Sequence, residues 1–265
     1  MNAVRELLPR EEIIFVADQA HVPYGPRPLD EVRAFSEQIT SFLLEEGAKL
    51  IVVACNAASA AALHHVRATF PGVPFVGMEP AVKPAAETTH TGVVGVLATP
   101  ATFQGALYAS VIERFAQGVK VIQDTCPGLV AQIEAGELDV KGTRAILKKA
   151  LEPMLEAGID TVVLGCTHYP FVIPLIEEIS GPGVRVIDPA PAVARQVKRV
   201  LEGRDLANQI GGEIQGYNQK YRFYTTGHPE QLSRLLPVLI GSSEPVERLV
   251  WKDGALFKAS PGSSA

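Results

Sequence analysis

Leu50-Ile51-Val52-Val53-Ala54-Cys55-Asn56 and Thr161-Val162-Val163-Leu164-Gly165-Cys166-Thr167 have one shape in common. Each is a short apolar run, then a small residue, a cysteine, a polar residue and an expected helix start. Both runs are rich in β-branched residues and lack polar alternation, the pattern of a strand covered on both faces. Comparable runs recur at Ile13 to Ala17, Val93 to Ala98, Val119 to Gln123, Val184 to Ile187 and Arg222 to Thr225. The stretches between them carry helical spacing. In the clearest, Leu29, Val32, Phe35, Ile39, Phe42 and Leu43 fall on one face, with Pro28 at the start and Gly47 just past the end. Strands alternating with helices predict an α/β fold with mostly parallel sheets. The repeated cysteine unit predicts two pseudo-symmetric halves. Ligands of such sheets sit beyond the carboxyl ends of the strands, which is where both cysteines fall.

Bulk properties narrow the function classes. A chain of 265 residues with 47% hydrophobic and 20% charged residues has the composition of an ordinary globular protein. A formal net charge of −5 offers a polyanion no general attraction, so nucleic acid is not expected as the ligand. No apolar run is long enough to span a bilayer and no leader pattern is visible. The three cysteines, Cys55, Cys126 and Cys166, cannot pair completely, so reduced thiols and a cytoplasmic location are expected.

A free cysteine is commonly a small buried hydrophobe, and Cys55 and Cys166 each have that reading. Their place at a strand-to-helix junction gives them another. Free N–H groups at a helix N-terminus favour thiolate and can hold a carboxylate. Asn56 and Ser59 add polar groups beside Cys55. His168 lies two residues beyond Cys166, where an imidazole can exchange a proton with a thiol. Cys55, Cys166 and His168 also read as metal ligands, but no fourth ligand has a recognisable spacing and no metal is expected. Cys126 has no acid or base next to it in sequence and reads as structural. His21, His64, His65, His90 and His228 carry no motif, and His64 and His65 read as a helix flank.

The strings Cys55-Asn56 with Ala58-Ser59-Ala60, and Gly165-Cys166-Thr167-His168-Tyr169-Pro170, resemble the two cysteine motifs of the glutamate racemase family. Pro23-Tyr24-Gly25 after Asp18 is similar to a third family motif, and Cys126-Pro127 with Ile133-Glu134 and Gly136 to a fourth. The resemblance runs from about Val4 to Thr225-Thr226-Gly227. It implies interconversion of L- and D-glutamate without pyridoxal phosphate, another cofactor or metal, supplying D-glutamate for peptidoglycan. One thiolate would remove the α-proton and the other thiol would protonate the opposite face. By resemblance Cys55 acts on the D-isomer, and Cys166 with His168 on the L-isomer. Tyr24, Gly25, Asn56, Ala57, Thr167 and His168 fall where the family binds substrate. The resemblance further implies two α/β domains around a cleft, residues 1–81 plus 191–265 and residues 82–190, and a homodimer.

Two positions depart from the family pattern. The family opens with a strand ending in Asp-Ser-Gly ahead of the helix matched by Val4-Arg5-Glu6, and this sequence starts inside that helix. The Asp supports the cysteine matching Cys55, and the Ser helps bind substrate. Ala57 stands where the family usually has Thr. A shortened start of an active enzyme is the expectation, with lower stability than a chain that carries the strand. The alternatives are an impaired paralogue acting as a binding or regulatory protein, a racemase for another acidic amino acid such as aspartate, and recruitment of Asp18. The last is opposed by the family's own aspartate at that place.

Overall fold

The computed structural model describes residues 1–208 and 220–259. Helix α1 (Asn2–Leu7) leads to strand β1 (Ile13–Ala17), helix α2 (Leu29–Glu45), strand β2 (Ile51–Val52), helix α3 (Asn56–Thr69) and strand β3 (Phe75–Val76). Next come α4 (Val82–Thr88), β4 (Val93–Ala98), α5 (Pro100–Gln104), α6 (Ala106–Phe115) and β5 (Lys120–Asp124). Helices α7 (Leu129–Glu134) and α8 (Lys141–Glu156) precede β6 (Thr161–Gly165). A 3-10 turn (Tyr169–Val172) then opens α9 (Ile173–Ser180), followed by β7 (Arg185–Ile187) and α10 (Ala190–Gly203). Strand β8 (Tyr221–Thr225), helix α11 (Pro229–Ile240) and strands β9 (Val246–Lys252) and β10 (Ala255–Lys258) complete the described chain.

Helix α2 forms as its pattern predicts. Pro28, with φ −56°, sets the entry, and Asp30 and Glu31 lie in the first turn, where the helix dipole favours negative charge. It stops at Gly47, which adopts φ +89° and returns its N–H to the Leu44 carbonyl at 3.0 Å.

The four strands β5-β4-β6-β7 form one fully parallel sheet. Val94, Val96 and Val163 join the core under α4 and α6, whereas Leu97, Val162 and Leu164 join the core under α7, α8 and α9. Every residue of β6 is buried, which is why its sequence shows no alternation. Gly165 closes the strand against β4, where a Cβ would meet that of Ala98 at 2.6 Å.

The other half is built differently. Strands β1-β8-β9-β10 form one sheet and β2-β3 a second, so among the described residues β1 and β2 each have a neighbour on one side only. Helices α1 and α2 span both sheets. Ile39 and Phe42 of α2 join Ile14 and Val16 of β1, while Leu43 and Leu44 join Ile51 of β2. On the other helix, Val4 joins Val52 and Val76, while Met1, just ahead of it, joins Phe15 and Ala17. Matching β2 to β6 and β1 to β5 aligns the halves, with two differences: no described strand takes the place β4 holds between its neighbours, and β8, β9 and β10 extend the first half beyond β1 where β5 is an edge. All of β1 is consequently half-exposed, unlike the fully covered strand its apolar sequence predicts.

Strands β3, β9 and β10 lie outside the apolar runs read from sequence. The first is two residues long, and β9 mixes Glu247, Arg248 and Lys252 into its run because it pairs near an open edge. The 3-10 turn after Cys166 replaces the α-helix start expected there. Lys258 closes β10, and residues 260–265 lie outside the described residues.

Candidate active site

Cys55 is the N-cap of α3, with an extended backbone (φ −154°, ψ 127°) that turns its side chain back over the first helical turn. Its sulfur accepts the Ala58 N–H at 3.4 Å. The helix N-terminus was expected to favour thiolate, but burial outweighs it and pushes the thiol up to about 11. The N–H groups of Ala58 and Ala57 oppose that rise, and negative charge on Cys166 adds to it. Cys166 is therefore close enough to act on Cys55, although 111 positions separate them in the chain (166 − 55).

Cys166 follows the last residue of β6 and is 9% exposed. Its Sγ lies 3.8 Å from Nδ1 of His168, and Nε2 of that ring lies 2.7 Å from Oε1 of Glu134 on α7. Burial opposes charge on the imidazole, but bonds to Cys166 and Glu134 prevail and raise it to about 10. Burial likewise works against the Glu134 carboxylate, and His168 with Gln19 holds it below the ordinary value. The set is a thiol, an imidazole and a carboxylate in a row, the arrangement that stabilises thiolate beside imidazolium. Sequence reasoning placed Glu134 in a motif without assigning it this partner. The signal was its neighbourhood with Gly136.

Tyr24 and Gly25 lie on the loop between β1 and α2. The Tyr24 hydroxyl donates to Asp18 Oδ2 at 2.6 Å. Burial, then the Asp18 charge, drives its ionisation far upward, so it stays a neutral hydroxyl. Asp18 is 7% exposed and also takes the His21 ring (Nδ1, 2.9 Å), the Thr226 hydroxyl (2.7 Å) and the Trp251 indole N–H (2.9 Å). His21, which carries no motif, is thus a structural partner of Asp18 and stacks on Phe35 at 3.8 Å. Gly25 is pressed against the end of β4, where a Cβ would meet that of Thr99 at 3.1 Å. A loop of the first half therefore seats directly on the second.

Asn56 and Ala57 begin α3, 3% and 5% exposed. Both polar atoms of the Asn56 amide are buried with no hydrogen-bond partner among the described residues. Leaving a buried polar group unpaired costs about 1–3 kcal/mol, which a ligand bonding the amide would return. Ser59 was expected to serve beside Cys55, but its hydroxyl donates to the Val53 carbonyl at 3.1 Å and accepts the Met78 N–H at 2.9 Å. It braces the loop after β3. Thr167 is half-buried between Cys166 and His168. Cys126 is not free of acids: its N–H bonds Asp124 Oδ1 at 2.7 Å, and burial with that carboxylate pushes its thiol well up. It keeps its proton, which agrees with a structural reading. His65, on the flank of α3, pairs with Glu37 at 2.6 Å. Among the described residues no group of three His, Cys, Asp or Glu is placed to hold a metal ion, and no helix is long and apolar enough to cross a membrane.

Comparison with known proteins points the same way. Residues 1–197 match the model of the Asp/Glu/Hydantoin racemase family. A glutamate racemase of Pseudomonas aeruginosa is 49% identical over 250 residues, spanning 94% of this chain and 92% of that protein. Among solved structures, a glutamate racemase isoform from Bacillus anthracis superposes with a TM-score of 0.80 at 29% identity, over 96% of this chain and 92% of that one. Escherichia coli glutamate racemase, solved with L-glutamate and the activator UDP-MurNAc-ala, gives a TM-score of 0.80 at 30% identity, over 94% and 92%.

Proposed function

Since the chain belongs to the Asp/Glu/Hydantoin racemase family, we propose that it interconverts L- and D-glutamate using Cys55 and Cys166 as two opposed acid–base groups. The observation that carries the proposal is a cysteine after each of two matching strands, one capping a helix and the other backed by imidazole and carboxylate.

Inverting a stereocentre by proton transfer needs one group on each face of the carbon. The two environments differ. His168, its imidazole pushed up to about 10, stands 3.8 Å from the Cys166 sulfur as its proton partner, while burial pushes the Cys55 thiol up. In one direction Cys166 removes the α-proton of the L-isomer and Cys55 protonates the other face. In the reverse direction Cys55 is the thiolate, stabilised by the Ala57 and Ala58 N–H groups, and His168 helps return a proton through Cys166. An α-proton is far less acidic than a thiol, so developing negative charge must meet fixed dipoles in a site closed to water. The helix start at Asn56 and Ala57, the Asn56 amide and Thr167 are the donors assigned to the substrate carboxylates. The Tyr24–Gly25 loop closes the site from the first half.

On the same reading the domains are residues 1–81 plus 191–265 and residues 82–190, the location is the cytoplasm, and the assembly is a homodimer. D-glutamate made by the reaction serves peptidoglycan synthesis. Circular dichroism of L- and D-glutamate incubated with the protein, with L- and D-aspartate in parallel, tests the assignment. Both glutamate signals are expected to decay to zero while aspartate persists. Stable glutamate signals, or faster loss of aspartate, would overturn it.

A further inference from the structure

Gln19 has entered so far only as a partner of Glu134, yet its side chain connects the two halves beside the Cys166 group. It lies on the loop after β1. Its Nε2 donates to Glu134 Oε2 at 3.0 Å, on α7 of the other half. Its Oε1 accepts the Thr225 hydroxyl at 2.8 Å, from the end of β8. A carboxylate only accepts hydrogen bonds, so the amide must turn its nitrogen to Glu134, and its oxygen is left for Thr225. The backbone leaves room for this and little else: a Cβ on Gly227 would stand 2.9 Å from that of Gln19. The Glu134 oxygens are divided, one to Gln19 and one to His168. A continuous row of contacts therefore runs from Thr225 through Gln19, Glu134 and His168 to Cys166.

We propose that Gln19 is a positioning residue, which bridges the halves and holds the Glu134 carboxylate in the orientation that bonds the His168 ring next to Cys166. The inference rests on the racemase reading above. It makes readiness of one acid–base group depend on the relative placement of the halves, because Gln19 and Thr225 belong to one and Glu134 to the other. The Gln19 amide bonds Glu134 and Thr225, on the Cys166 side of the site, so Cys55 has no share in this device.

Gln19→Met removes the amide at similar length, and Thr225→Val releases its anchor from behind. Two measurements read the result. The first needs no turnover: NMR titration of His168 in histidine-labelled protein, assigned with His168→Asn. In Gln19→Met the His168 titration is expected to fall by about one pH unit, and kcat/KM by about tenfold, the scale of a hydrogen bond to a charged group. The second is the deuterium isotope effect on kcat/KM for substrate labelled at Cα. Enantiomers have equal energy, so kcat/KM falls equally in both directions and cannot reveal which thiol is affected. The isotope effects can: the one with L-glutamate is expected to rise and the one with D-glutamate to fall. Thr225→Val should move both readouts the same way by a smaller amount. An unchanged His168 titration, or isotope effects that stay fixed or move alike, in either variant with a wild-type circular dichroism spectrum, overturns the proposal. If the wild-type protein itself leaves glutamate optically active, the racemase reading fails, and the titration alone still decides whether Gln19 governs Glu134 and His168.

Discussion

At the residue scale the site is an asymmetric pair. Cys55 has main-chain N–H groups and keeps its proton, while Cys166 has an imidazole and a carboxylate behind it. Either thiol is indispensable to a two-sided transfer. Cys55→Ala and Cys166→Ala should each lower kcat for racemisation by about 10²–10⁴-fold, the usual range for an acid–base group, with melting temperature little changed. The His168–Glu134 pair also ties stability to pH. A raised histidine adds stability that is complete below 6.5 and is lost as pH climbs through about 10. The lowered Glu134 contributes above 4.5 and loses its share as pH falls below that. The gap in melting temperature between wild type and His168→Asn is therefore expected to be widest between those limits and to narrow toward pH 10. A gap that stays constant from pH 6.5 to pH 10 contradicts the pairing. Both cysteines and His168 were legible because each sits at a sequence-marked strand end. Glu134, Gln19 and Asp18 were not assigned partners, because their bonds join positions 34, 115 and up to 233 residues apart.

At the element scale the apolar runs located seven strands, most plainly β4 and β6, because parallel, doubly covered strands write their burial directly into sequence. The β9–β10 hairpin obeys another rule. Its marker is the Asp253-Gly254 turn, where both residues take positive φ (+52° and +77°), the chemistry of a tight hairpin. Gly165 shows how tightly an element holds the chemistry. Gly165→Ala puts a methyl against Ala98 at the strand end that carries Cys166, so β6 or β4 must shift. It should cost about 1–3 kcal/mol in denaturant unfolding and lower activity further than its stability loss explains. The sides of β1 and β2 that lack a partner among the described residues lead to a second expectation. A strand of about five apolar residues fused ahead of α1 would supply main-chain partners to both sheets under α1 and α2, completing the four-strand arrangement seen around β4. Its melting temperature should rise, and equal melting of the two proteins would show that the gap does not accept a strand.

At the scale of the whole molecule, two α/β halves bring equivalent strand ends to one site. The Tyr24–Gly25 loop on Thr99 and the Gln19 bridge to Glu134 join them there. The repeat in the sequence forecast that symmetry, though not the split sheet of the first half, since pairing partners leave no local trace in a strand that lacks a neighbour. What the symmetry is for can be read from a label. Incubated with L-glutamate in D2O to low conversion, the enzyme should yield D-glutamate carrying deuterium at Cα, while the L-glutamate recovered stays unlabelled; the D-isomer as substrate should give the mirror result. Two thiols on opposite faces require that pattern. Deuterium entering recovered substrate as fast as product would mean one base serves both faces, and unlabelled product would mean that neither thiol delivers a solvent-exchanged proton.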